Sequence, residues 1–230
     1  MISTISRDLQ TLKEEVIEVN DKILKICETN EKVKKLYKGC QIYISPLYQN
    51  TNILFLGINP GGGYYKKTGK IQQKFEPLEK NDTGYGLWKA IEKCFAKMGE
   101  KQLLDDMVKS NHYFFCTNRE ADLYKMLELF PHELKNEIKE KSKKWVKTII
   151  SEISPKIIIC GGKSSMGKIQ ELYPGYEIMQ QTEYTKAIKI NGTYVIGFNR
   201  LFSRILKKKE FMEYFQKYFS RTILDKNRTA

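Results

Sequence analysis

Long apolar runs are missing from this chain: no stretch approaches the roughly 18 residues needed to span a bilayer. Met1–Arg7 lacks the apolar h-region of a signal peptide, so a cytoplasmic protein is expected. Histidine is scarce, with only His112 and His132, and the five cysteines (Cys27, Cys40, Cys94, Cys116 and Cys160) include no Cys-x-x-Cys pair. An odd count without paired spacing points to neither a disulfide framework nor a zinc site, and reduced thiols agree with a cytoplasmic address. Acidic residues are outnumbered, 27 against 40 Lys and Arg, which leaves a formal charge of +13. A polyanion-binding protein shows such an excess, although lysine-rich surfaces also accompany the Lys, Ile, Asn and Tyr usage of AT-rich coding.

What is present excludes disorder: 41% of residues are hydrophobic and 12% aromatic. At 230 residues the chain can bury a real core. Residues 1–221 read as one domain with an N-terminal helix, and residues 222–230, where the apolar pattern stops, as a frayed tail. Leu9, Leu12, Val16, Val19, Ile23 and Ile26 make one apolar helical stripe. Such a stripe serves either its own domain or a coiled-coil seam. A monomer is expected, with a dimer through residues 9–26 as the alternative.

Four apolar runs read as buried strands: Ile53–Gly57, His112–Cys116, Lys156–Cys160 and Tyr194–Phe198. Helical patterns run over Leu87–Met98, Glu133–Ser151 and Ser164–Leu172, and a basic helix follows Arg204 to about Phe219. The alternation predicts a three-layer α/β/α sandwich with a mostly parallel central sheet of at least four strands. Ligands of such sheets sit beyond the carboxyl ends of the strands. The loops there are Gly57–Gly63, Thr117–Arg119, Gly161–Ser165 and Asn199–Arg204, and they are expected to converge.

Gly57-Ile-Asn-Pro-Gly-Gly-Gly63 matches neither the dinucleotide fingerprint nor the Gly-Lys-Ser/Thr ending of a phosphate loop. Two readings stay open: an ordinary strand-to-loop turn, or a site where Asn59 presents its amide while Pro60 fixes the backbone and the glycines admit a ligand. Gly-Ile-Asn-Pro-Gly after a strand resembles the first active-site motif of the uracil-DNA glycosylase superfamily, closest to its mismatch-specific uracil/thymine branch. The resemblance continues in order through Trp88-Lys-Ala-Ile91, Phe115-Cys-Thr-Asn118, Pro155–Lys163 and Phe198–Arg204. At the second active-site motif the family has His-Pro-Ser or Asn-Pro-Ser; here Asn199 is kept and Arg200 and Leu201 follow.

The resemblance implies hydrolysis of the N-glycosidic bond of a flipped uracil or other non-standard base in DNA, with neither metal nor cofactor. It assigns Asn59 and Asn199 to catalysis. Gly57, Ile58, Pro60 and Asn118 would hold the base, with Tyr64, Tyr65 or Phe75 stacking on it unless these pack in the core. Because uracil leaves as an anion, the reaction needs a placed water and donors to the departing base more than covalent help. An amide such as Asn118 can read the edge of an extruded pyrimidine, or simply cap a helix. Leu201 or Phe202 is the wedge for the opened stack, with Arg200, Ser203, Arg204 and Lys163 on phosphates. From Arg200 to Ala230 there are nine Lys and Arg against three acidic residues. Lys207, Lys208 and Lys209 therefore join the DNA face or form a solvated helix start. Two further classes remain: an inactive DNA-binding module on the same fold, and a nucleoside or nucleotide binder using Gly61–Gly63.

Overall fold

Alternation along Ile53–Gly57 sends Leu54 and Leu56 to one side of a sheet and Ile53 and Phe55 to the other, and all four are buried. Burial on both sides demands a helical layer on each face. The computed structural model of the protein describes residues 6–80 and 86–229, with side chains through Thr222. The first half of the chain forms α1 (Arg7–Thr29), α2 (Glu31–Leu36), β1 (Gly39–Gln41), β2 (Ile53–Gly57), α3 (Gly63–Thr68), β3 (Gln72–Lys74), α4 (Gly86–Met98), β4 (Val108–Asn111) and β5 (Phe115–Cys116). Then come α5 (Glu120–Glu128), α6 (His132–Ile153), β6 (Ile157–Cys160), α7 (Lys163–Leu172), β7 (Glu177–Gln181), β8 (Thr185–Ile190), β9 (Thr193–Phe198), β10 (Arg200–Leu201), β11 (Arg204–Ile205) and α8 (Lys208–Thr229).

The central sheet has six strands in the order β4-β2-β6-β9-β8-β7. β4, β2, β6 and β9 are parallel, and β8 and β7 extend the sheet antiparallel. One face packs on α1, α6 and α7, the other on α4 and α8. This is the expected three-layer α/β/α sandwich. Among the described residues no helix is long and apolar enough to cross a membrane.

The α1 stripe turns inward. Leu9, Leu12, Val16, Val19 and Ile23 are buried in their own domain, each contributing about 1.5–3 kcal/mol by that burial. Trp145 of α6 donates to Glu15 at 2.8 Å, and Lys22 pairs with Glu137 at 2.9 Å. Ile26, the last residue of the stripe, is partly buried against the same core. At the other end, α8 continues past Phe219 to Thr229 where a loose tail is expected.

The strand expected at His112–Cys116 is corrected by the structure. The sheet strand lies four residues earlier, at Val108–Asn111, and only Phe115–Cys116 is extended, pairing antiparallel with β1 in a small sheet β3-β1-β5. β4 reads Val-Lys-Ser-Asn, yet every residue of it is buried. Ser110 is satisfied by donating to the Ile42 carbonyl at 2.8 Å, and the Lys109 ammonium lies 3.9 Å over the Trp88 ring. Buried polar side chains with partners are tolerated inside a sheet, which a search for apolar runs does not see.

Candidate functional site at the carboxyl edge of the sheet

From β2 the chain passes to β4 on one side, then returns to β6 on the other, so strand order reverses between β2 and β6. Open α/β sheets bind ligands at such a switch point. The end of β2 is bracketed there: the His112 amide donates to the Gly57 carbonyl at 3.0 Å, and the Gly161 amide to the Leu56 carbonyl at 2.8 Å. Gly57 is needed because a Cβ would stand 2.4 Å from Asn111 Oδ1. Its absence lets the Asn111 amide lie against the strand end.

Asn111 is the site residue that apolar patterning passes over. It is 3% exposed, and its Nδ2 has no hydrogen-bond partner among the described residues. The available signal is a polar residue closing β4 directly ahead of a buried histidine. An unmet buried donor costs about 1–3 kcal/mol, so its retention at a strand end marks a candidate for ligand recognition.

Asn59 Nδ2 donates to three acceptors, the Pro60 carbonyl (3.1 Å), the Phe115 carbonyl (3.2 Å) and Thr117 Oγ1 (2.9 Å). Two of these are carbonyls, which fixes the nitrogen on that side and turns Oδ1 the other way, where it can accept from a water. Ile58 and Pro60 are buried beneath this loop. Asn118 lies against Gly62, where a Cβ would stand 2.6 Å from its Oδ1. Arg119, not Asn118, is the residue that precedes α5, so Asn118 is not its cap.

The aromatic candidates divide. Phe75 packs against the core. One face of Tyr65 carries the Lys38 ammonium at 4.1 Å. Tyr64 is 39% exposed and has Lys74 at 5.8 Å from its centroid.

Asn199 is turned away from Asn59. Its backbone amide donates to the Tyr184 carbonyl (2.7 Å) and its Nδ2 to the Glu183 carbonyl (2.6 Å), both ahead of β8. β6 stands between β2 and β9, separating them by about 10 Å. The two asparagines assigned to catalysis are therefore bonded outward from the switch point on opposite sides. Asn199 instead lines a cleft of about 440 Å³ with Lys163, Tyr184 and Thr185. The buried Thr185 hydroxyl has no hydrogen-bond partner among the described residues.

Arg200–Ile205 folds into a hairpin, with Arg200 opposite Ile205 and Leu201 opposite Arg204. Arg200 anchors it: Nε donates to the Gly161 carbonyl (2.7 Å) and Nη1 to the Phe202 carbonyl (2.6 Å). Ser203 rests against Gly86 at the start of α4. Leu201 is 55% and Phe202 82% exposed, and Phe202 holds a positive φ of 51°. A left-handed conformation costs a non-glycine residue about 1–2 kcal/mol. Arg204, Lys207, Lys208 and Lys209 are exposed behind this tip.

His112 is buried on the α6 side of this edge, lining a cavity of about 260 Å³ between α6 and α7. Ser165 donates to the Leu56 carbonyl at 2.8 Å, so its oxygen accepts from His112 Nε2–H at 3.1 Å. Burial first, and the Lys168 charge second, press the imidazole pKa from 6.5 down to about 3. The unfolded chain therefore binds a proton that the folded chain refuses between those values, and stability falls as pH drops through that window. His112→Gln is expected to flatten the loss of Tm between pH 6.5 and 4. Parallel curves for variant and parent would show that the imidazole is protonated while folded.

No family model matches the sequence, and no curated protein matches it. Among solved structures the chain is similar to the crystal structure of a Haemophilus influenzae protein of the DUF1537 family, at TM-score 0.32 and 10% identity. That likeness covers 77% of this chain and 42% of the other, so the chain spans less than half of that protein's length.

Proposed function

We propose that this protein is a uracil-DNA glycosylase-like enzyme of the cytoplasm, hydrolysing the N-glycosidic bond of a flipped uracil or other non-standard base in DNA. One observation carries the reading: the Leu201–Phe202 tip stands out from the carboxyl edge, flanked by Arg200 and Arg204, and is tied to the β6 loop beside the switch point. Apolar side chains held out in this way are suited to entering an opened base stack, and arginines beside them to holding phosphates. The unmet Asn111 donor is buried at the same strand end, a group that an extruded base reaches once this edge opens. Asn59 Oδ1 supplies an acceptor for the attacking water.

The outward bonding of Asn59 Nδ2 and Asn199 favours a second reading, an inactive DNA-binding module on the same fold. Oligonucleotides carrying one lesion each, incubated with protein and then heated in alkali, separate the two. The glycosylase reading expects strand cleavage that falls at least ~100-fold in Asn59→Ala. Melting curves recorded alongside show whether the loop has come loose from Phe115 and Thr117. Binding without cleavage of any lesion leaves the module.

A further inference from the structure

Most lysines on the α1–α6 side have acidic partners: Lys22 and Lys141 share Glu137, and Lys144 pairs with Glu15. The face around α3 differs. Residues 61–80 hold five lysines and two glutamates, and Glu76 is occupied by Lys13 at 2.6 Å. Lys66, Lys67, Lys70 and Lys74 are exposed and form no ion pair among the described residues. Lys38 joins them over Tyr65, and Asn118 and Arg119 are exposed beside Gly62. Unneutralised charge is thus gathered on the segment that leaves the Gly57–Gly63 loop, far from the hairpin in sequence but on the same edge of the sheet.

We infer that the α3 face is a second nucleic-acid contact, taking the phosphodiester backbone on the side of the switch point opposite the hairpin. The inference rests on the reading that the carboxyl edge engages DNA, and it adds where the strand runs. β2 and β9 are about 10 Å apart, so cations after β2 and cations after β9 flank one crevice within the width of a duplex. Burial holds the Lys38 ammonium below the usual lysine range, against the pull of Asp122, and a phosphate over Tyr65 relieves that cost. A lipid surface suits this face poorly. α3 reads Gly-Tyr-Tyr-Lys-Lys-Thr, only six residues with no apolar stripe, and among the described residues its exposed large apolar neighbours are Tyr64 and Ile71. Stable membrane attachment needs a longer apolar face.

The test is a quadruple variant, Lys66→Ala, Lys67→Ala, Lys70→Ala and Lys74→Ala, with binding to undamaged single- and double-stranded oligonucleotides followed by anisotropy from 50 to 200 mM salt. Each lost phosphate contact removes about 0.9 from the slope of log K against log salt on a duplex. The slope is expected to fall by about 3 and affinity by at least tenfold. A control with Lys97→Ala and Lys101→Ala, where α4 ends at the amino edge of the sheet, leaves both unchanged. Circular dichroism verifies that the variant folds. An unchanged slope overturns the inference, as does parent protein that binds no DNA at 50 mM salt. Lysine-dependent binding to phosphatidylserine vesicles with an unaltered DNA slope assigns the face to lipid instead. A reduced slope with no base excised from any lesion keeps this contact and sinks the glycosylase; an intact slope with excision does the reverse.

Discussion

Replacing Leu201 and Phe202 together by alanine is expected to reduce action on a paired target about 10–100-fold and to leave action on a single strand nearly unchanged. Extruding a base from a duplex costs a few kcal/mol, and a wedge that fills the vacated stack recovers part of it. At 1.36 kcal/mol per tenfold, losing about 2 kcal/mol of that recovery gives the range stated. A single strand has no stack to hold open, so nothing comparable is lost. Folding is little affected, because the side chains are 55% and 82% exposed and bury little apolar surface. Phe202→Gly sharpens the test: glycine accepts the 51° φ without strain, so this variant is expected to melt about 1 kcal/mol higher while losing the paired-target activity. Kinetics on matched duplex and single-stranded lesions, with melting curves, check both. Equal losses on the two substrates would mean that the tip supports the edge from within. No loss on either would put the hairpin outside the site.

What the sequence discloses about this edge follows from which strands see oil on both sides. β2, β6 and β9 lie between two helical layers, so they appear as unbroken apolar runs. β4 occupies the same sheet but reads Val-Lys-Ser-Asn, and its Lys109 and Ser110 side chains are housed by particular neighbours that no local pattern announces. The apolar run His112–Cys116 therefore attracts the strand assignment, and the asparagine taken to close the strand moves with it, from Asn111 to Asn118. β7 is missed for a related reason. It is an edge strand, Glu-Ile-Met-Gln-Gln, with no fully buried residue. The hairpin is legible only as a motif, since two-residue strands carry no period. The direction of the Asn199 amide is set by the Glu183 and Tyr184 carbonyls, on the turn that leads into β8, which no local pattern around Asn199 announces.

Asn111→Ala separates recognition from folding more cleanly than any other change at the edge. In most buried positions truncating an asparagine strands its partners, and stability falls by the cost of each unmet group. Here the Nδ2 is itself the unmet group, so its removal relieves about 1–3 kcal/mol of desolvation while opening a small void whose cost runs the other way. The variant is expected to melt within about 1 kcal/mol of the parent, or above it. Excision is expected to drop at least ~100-fold, because once the edge opens to a base the donor meets the departing anion in a water-poor site where a single such bond is worth about 2.7–4 kcal/mol. Gly57→Ala gives the geometric counterpart: its Cβ, 2.4 Å from Asn111 Oδ1, must push the amide aside, so excision falls while the donor itself is still present. Thermal melts and single-turnover excision on one lesion duplex read both variants. A steep loss of stability in Asn111→Ala with unaltered excision would show that the amide props the end of β4 through ordered water and never meets a base.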